Sequence, residues 1–160
     1  MNEYDSAFLK TPLGTAKIVG DENGIIEISI LDETYPTTEN PSKHLESCMK
    51  QLEQYFNAER TVFSVKLNPI GTDFQKRVWA ELLNIPFGKR ISYMKQTVNI
   101  GDKKAIRAVA AANGKNPIWI LIPCHRVVGS DGSLTGYAGG LWRKEWLLEH
   151  ECPSGQTSLF

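Results

Sequence analysis

Residues 92–117 read Ser-Tyr-Met-Lys-Gln-Thr-Val-Asn-Ile-Gly-Asp-Lys-Lys-Ala-Ile-Arg-Ala-Val-Ala-Ala-Ala-Asn-Gly-Lys-Asn-Pro. Ser92 can cap a short helix reaching Val98, and Gly101 breaks it. Asp102 can cap a second helix over 103–113, which Gly114 and Pro117 terminate. Two short helices around a Gly-containing turn are the outline of a helix-turn-helix. The second helix has almost no side-chain bulk: Ala105, Ala108, Ala110, Ala111 and Ala112 fill it, and Arg107 is the one long cation in its middle. So bare a helix can lie close against another surface, either the protein core or a nucleic-acid groove. Readers of the major groove need several long polar side chains to reach base edges. This helix offers few, so close contact with the minor groove fits better than reading of a base sequence.

Working outward, Thr72-x-x-Gln75 is a capping-box pattern. It opens a helix whose apolar face is Phe74, Val78, Trp79 and Leu82, with Pro86 and Gly88 at its end. Residues 68–71 read as a linker. Before them, 14–19 and 24–30 carry β-branched residues, and Asn-Gly in the intervening Asp-Glu-Asn-Gly signals a hairpin. A polar loop over 33–41 precedes Ser42, a candidate cap for a helix bearing Leu45, Met49, Leu52 and Phe56 at helical spacing. Residues 61–67 alternate as a further strand would. Downstream, 118–122 is an apolar, buried strand or extended segment, 129–132 a turn, and 141–150 a final helix. The expected fold class is α/β (α+β). An α/β domain over 1–67 is followed by a mainly helical domain over 68–160.

Composition bounds the function. The chain has 160 residues, 41% apolar and 22% charged, which excludes disorder, collagen and coiled coil. The longest apolar run, 118–122, is far too short to span a membrane. The first ten residues lack the basic and apolar regions of a signal peptide. Cys48, Cys124 and Cys152 form no C-x-x-C pair, so they are expected to be reduced thiols of a cytoplasmic protein, with no zinc site. The net charge is zero, but the halves differ. Through Val65 there are 5 Lys and Arg against 11 Asp and Glu; from Lys66 onward there are 13 against 7. The basic C-terminal half keeps nucleic acid open as a partner, although differently solvated surfaces give the same asymmetry.

The chemistry concentrates in Ile-Pro-Cys-His-Arg-Val at 122–127. A thiol at neutral pH is only a few per cent thiolate, so a nucleophilic cysteine needs a base or a positive environment. His125 and Arg126 can supply these for Cys124. Neighbours in an extended chain point to opposite faces, so a bridging water is one way to join thiol and imidazole. A carboxylate among Glu145, Glu149 and Glu151 could then fix the imidazole tautomer. Taken alone, a Cys-His pair is more commonly structural. Trp79, Trp119, Trp142 and Trp146 read as packing residues, and His44 and His150 as solvent-facing.

Pro-Cys-His-Arg-Val, followed by Gly-Tyr-Ala-Gly-Gly-Leu at 136–141 and preceded by the Ala-x-Arg-Ala helix and Asn116-Pro117, resembles the O6-alkylguanine-DNA alkyltransferases, also called methylated-DNA–protein-cysteine methyltransferases. The likeness runs from about Gly71 to Glu151. The first 65 residues match only in overall pattern, and the resemblance implies a ribonuclease-H-like domain there. It implies that Cys124 takes the alkyl group from the guanine O6, once per molecule and without cofactor or metal. His125 would act as its base through a water, Glu151 would orient the histidine, and Asn116 would order the turn. Tyr93 would donate a hydrogen bond or proton toward the guanine. Arg107 would fill the stack after the nucleotide is flipped out. Ala105, Ala108, Ala111, Lys104, Tyr93 and Arg126 would join it on the DNA, and Lys103 and Lys115 are further phosphate candidates. Tyr137, Ala138, Gly139, Pro123 and Val127 would line the base pocket; Ala138 stands where some members have Ser, so one hydrogen bond to the base is lost. The implied partner is duplex DNA containing O6-alkylguanine, with O4-alkylthymine a further candidate substrate. The protein is expected to be a monomer, with scope for cooperative binding on DNA and no membrane association.

Two other readings remain on the residues alone. One is a non-catalytic lesion sensor that recruits other repair factors; the presence of Cys124 argues against it. The other is a Cys-His-Glu hydrolase, which leaves the Ala-rich helix and the basic half without a task.

Overall fold

The computed structural model describes residues 3–134 and 136–153. The chain divides into two compact units. The first comprises residues 1–70 together with 117–119, and the second comprises 71–116 and 120–160.

In the first unit, β1 (Asp5–Thr11), β2 (Gly14–Asp21) and β3 (Gly24–Leu31) form an antiparallel meander. Ala7, Leu9, Ala16, Ile18, Ile28 and Ile30 are buried, the period-two inward face expected of a sheet covered on one side. Helix α1 (Glu46–Phe56) packs against β1 and buries Cys48, Met49, Leu52 and Tyr55. The expected hairpin is present, with Asp21 paired to Gly24. Strand β1 was not signalled by the sequence, because Phe8, which breaks its alternation, is only half-buried and stacks on Tyr35 at 4.7 Å.

Two expectations need correction. Ser42 does not cap α1: its carbonyl accepts the Leu45 and Glu46 N–H groups and its hydroxyl donates to Asp5 at 2.6 Å, so it organises the turn before the helix. Residues 61–67 do not form a strand. Val62 is exposed, Ser64 is held by a reciprocal pair of hydrogen bonds with the Gln51 amide (2.9 and 3.0 Å), and only Leu67 bridges to Ile25. A side-chain amide has taken the backbone N–H that a ladder would have used.

The second unit is mainly helical. Helix α2 (Asp73–Leu82) starts with both hydrogen bonds of the Thr72–Gln75 capping box. Its Trp79 is buried and donates from Nε1 to the Ala112 carbonyl at 2.8 Å. Strand β4 (Ile91–Ser92) leads directly into α3 (Tyr93–Ile100), where the Ser92 hydroxyl accepts the Lys95 N–H. Gly101 ends α3 at φ 104°, a left-handed conformation that favours glycine. Asp102 then caps a 3-10 turn, Lys103–Ala105, which runs into α4 (Ile106–Gly114). Gln96 and Asn113 are buried and exchange two side-chain hydrogen bonds of 2.8 Å, tying α3 to α4. A buried amide pair satisfied in this way has few alternative arrangements, so it fixes the crossing of the two helices. Cys124–Arg126 is a 3-10 turn that precedes β5 (Val127–Val128), and α5 (Leu141–Glu151) closes the described fold. Residues 118–122 are largely buried, but form no strand. Ile118 makes one bridge to Ile28, and Ile120 holds φ 74°, a strained conformation for a β-branched residue. Among the described residues no helix is long and apolar enough to cross a membrane.

Candidate active site

The site is assembled by one short ladder. Strand β4 pairs parallel with β5, Ile91 opposite Val127 and Ser92 opposite Val128. This register sets Tyr93, the first residue of α3, beside the turn that carries Cys124, His125 and Arg126. Asn116 secures the turn from below. Its Nδ2 donates to the Ile122 carbonyl at 2.8 Å and to Cys124 Sγ at 3.2 Å. One amide group therefore fixes both the backbone before the cysteine and the sulfur itself. Cys124 is buried, with 8% of its surface exposed. Burial pushes that thiol up from its ordinary value; the Asn116 hydrogen bond and the positive charge of Lys144 oppose the shift. The resting sulfur is thus a thiol, and reaction requires its proton to leave.

His125 is fully buried and its Nε2 lies 2.7 Å from Glu151 Oε2. Burial holds the imidazole below its ordinary pKa, against the pull of Glu151. Burial alone would raise the Glu151 carboxyl, but His125 and Arg126 outweigh it and hold the group well below the usual carboxylate range. An ionised carboxylate only accepts, so neutral His125 carries its proton on Nε2 and donates it to Glu151. The lone pair is then on Nδ1, which is buried and unpartnered among the described residues. A base site is in this way prepared on the other side of the ring.

Arg126 needs correction. It was expected to touch DNA, but it is buried, with Nε and Nη2 on Glu151 at 2.8 and 3.1 Å and Nη1 on the Ile85 carbonyl at 2.6 Å. Its guanidinium neutralises and aims the carboxylate that aims the histidine. Val127 is completely buried in the ladder and presents no surface to a pocket. Of the other expected pocket residues, Pro123 and Gly139 are buried, Tyr137 is half-buried and Ala138 is exposed. The Tyr93 hydroxyl reaches the Gly136 carbonyl at 3.5 Å, the outer limit of a hydrogen bond.

On α4 most of the small residues face outward, Ala108, Ala110 and Ala111 among them. Arg107, Ala108 and Ala111 are exposed and Ala105 is half-buried, whereas Val109, Ala112 and Asn113 are buried. Ala112 alone of these alanines packs into the core; Ala108, Ala110 and Ala111 leave a low, open helix face with one long cation. Lys103, Lys104 and Lys115 are exposed nearby in sequence.

Lys144 was missed. It is completely buried, its Nζ lies 5.6 Å from the centre of the Tyr93 ring, and its charge acts on Cys124. Burial lowers its pKa from 10.5 to about 8, which the Cys124 sulfur partly counters. A signal was present: Lys144 shares a helix face with Leu147, Leu148 and Glu151, all buried. A lysine on the apolar stripe of a helix is rarely there for solubility.

A buried thiol, an oriented imidazole and an exposed small-residue helix, all in one helical unit, define the class: a nucleophilic-cysteine protein with a surface suited to a groove. Residues 73–153 match the DNA binding domain of 6-O-methylguanine DNA methyltransferase, and residues 6–69 match its ribonuclease-like domain. The chain belongs to the 6-O-methylguanine DNA methyltransferase family. It is 44% identical over 154 residues to the methylated-DNA–protein-cysteine methyltransferase of Methanosarcina barkeri, covering 92% of this chain and 96% of that one. It is similar to the crystal structure of the Mycobacterium tuberculosis O6-methylguanine methyltransferase, with a TM-score of 0.83, 42% identity and 93% of each chain covered. The structure of the Mycobacterium tuberculosis protein in complex with DNA gives a TM-score of 0.81 at 43% identity, covering 90% of each chain.

Proposed function

We propose that this protein repairs DNA by moving a methyl or larger alkyl group from the O6 of guanine in duplex DNA, with O4-alkylthymine a further candidate substrate, onto Cys124, once per molecule. The observation that carries the proposal is the pair of arrangements around the thiol: Asn116 holding Sγ at 3.2 Å, and His125 held by Glu151 at 2.7 Å with Nδ1 unused. The segment 68–160 would carry both DNA binding and transfer, in the cytoplasm and as a monomer.

DNA is approached through the helix-turn-helix formed by α3 and α4. The open face of α4 lies against the minor groove, and Lys103, Lys104 and Lys115 neutralise phosphates. The O6 of guanine is out of reach inside a duplex, so the nucleotide must be extruded, and the weak pairing of an alkylated base lowers that cost. Arg107 fills the gap in the stack. The thiol proton passes to His125 Nδ1, by way of a water, and Glu151 stabilises the imidazolium formed. Lys144 favours the thiolate that this leaves. The sulfur then attacks the alkyl carbon as the carbon–O6 bond breaks, and its electron pair goes to the guanine. Tyr93 lends a proton or hydrogen bond to that leaving group. In balance, the guanine gains the proton the thiol lost, and a neutral thioether remains. Nothing in the site reverses a thioether, so the protein is consumed.

The test is Cys124→Ala against duplex containing O6-methylguanine, followed by fluorescence anisotropy and by analysis of the DNA. The variant should bind as the wild type does and leave every methyl group on the DNA. Methyl loss from DNA at the wild-type rate would overturn the proposal.

A further inference from the structure

The pocket loop is poor in restraints of its own. Gly136, Gly139 and Gly140 are three of the five residues 136–140, and Gly136 and Gly140 hold φ of 55° and 92°. Glycine loses more freedom on ordering than any other residue. Ala138 offers no polar side chain, which leaves Tyr137 as the one residue of this loop with a polar side chain; the other polar groups it can turn toward a base are backbone groups, whose positions depend on those torsions. A hydrogen bond from Gly140 N–H to the Tyr137 carbonyl, 2.9 Å, ties the loop to itself.

The Tyr93 hydroxyl meets the loop at the Gly136 carbonyl, and helix α5 holds its other end. The Arg143 side chain reaches back and donates from Nη1 to the Gly139 carbonyl at 3.0 Å. The same guanidinium lies 4.7 Å from the centre of the Trp142 ring. Trp142 in turn covers the Gly140 backbone: a Cβ placed there would meet its ring at 3.6 Å. Trp142 is 54% exposed, which corrects its reading as a packing residue. A ring this exposed contributes little to a core, yet it lies close to both a cation and the loop. The charge of Arg143 also acts on Tyr137, the other end of the same loop.

We infer that Arg143 is a positioning residue of the transfer reaction, pinning the Gly139 carbonyl and the Trp142 ring together so that the 136–140 loop receives the flipped base in one conformation. The inference rests on the alkyltransferase reading of the site. The reacting atoms never touch Arg143; its effect is on where the base docks, after DNA has bound.

Four measurements on wild type, Arg143→Ala, Arg143→Lys and Trp142→Ala test it: transfer rate at saturating O6-methylguanine duplex, affinity for duplex, alkylation of Cys124 by iodoacetamide, and amide exchange of the loop. Arg143→Ala should slow transfer by about tenfold to a hundredfold, the scale of a small misplacement of a reactant. Its duplex affinity and iodoacetamide reactivity should stay at wild-type values, and its loop amides should exchange faster while those of α5 do not. Arg143→Lys should recover part of the rate, since an ammonium can still reach the carbonyl. Trp142→Ala, which removes the stack alone, should slow transfer less, and it carries the test if Arg143→Ala does not fold. Wild-type transfer rates in both alanine variants would overturn the inference, as would a loss matched by equal loss of iodoacetamide reactivity. If the wild type itself transfers nothing, the alkyltransferase reading fails; loop exchange unchanged in Arg143→Ala would then overturn the clamp separately.

Discussion

Lys144→Met isolates the most unusual charge in the molecule. The lysine is completely buried and its pKa falls from 10.5 to about 8. At 1.36 kcal/mol per pKa unit, this is a penalty of about 3 kcal/mol on the charged form in the folded state. The folded-state pKa lies below the unfolded one, so between pH 8 and 10.5 the unfolded chain keeps a proton that the folded chain has lost. Wild-type stability therefore rises across that window relative to the variant, and the penalty is fully present below it. Methionine fills a similar space without the charge. Near neutral pH, Lys144→Met should be more stable by about 3 kcal/mol, a rise in melting temperature of roughly 6–12 °C for a chain of this size. The gain should shrink as pH climbs through the window. Transfer should suffer in return, by about tenfold to a hundredfold, because an opposite charge close to a titrating group is worth one to two pKa units. Thermal unfolding across pH and single-turnover transfer near neutral pH measure the two sides. A variant no more stable than wild type, or one that transfers methyl at full rate, would refute the reasoning.

Glu151→Gln should lower the melting temperature by roughly 6–20 °C, since a buried Arg126 left without its counter-charge costs about 3–5 kcal/mol. The folded-state pKa of Glu151 is depressed below 4.5, so its contribution is complete above that pH and is lost as pH falls further. Acid unfolding curves of the two proteins should converge below pH 4.5, and parallel curves would contradict the assignment. On DNA, affinity should fall with salt. Lys104→Ala should reduce the slope of log affinity against log salt by about 1, the loss of one phosphate contact. Arg126→Lys should leave that slope alone and lower the melting temperature instead; a changed slope would return Arg126 to the DNA face.

Much of the second unit was legible because its signals are local. The Thr72–Gln75 box, the Ser92 and Asp102 caps and the left-handed Gly101 each use groups within four residues of one another. What escaped depends on partners far along the chain. Residues 61–67 have the alternation of a strand, but Gln51 takes the backbone of Ser64, thirteen residues away. Arg126 looked like one more cation of a basic half until Glu151 and the Ile85 carbonyl closed around it. Lys144 is legible from its place three, four and seven residues before Leu147, Leu148 and Glu151, the spacing of the buried stripe of α5. Trp142 falls off that stripe, and nothing in its neighbours announces the Arg143 stack.

The central claim is that Cys124 itself accepts the alkyl group. Intact mass and peptide mapping after mixing the protein with duplex DNA carrying one O6-methylguanine measure it directly. The expected result is a gain of one methylene unit, on Cys124, saturating at one per protein molecule. An unmodified Cys124 with the lesion still bound, or methyl loss from the DNA without a modified cysteine, would contradict it.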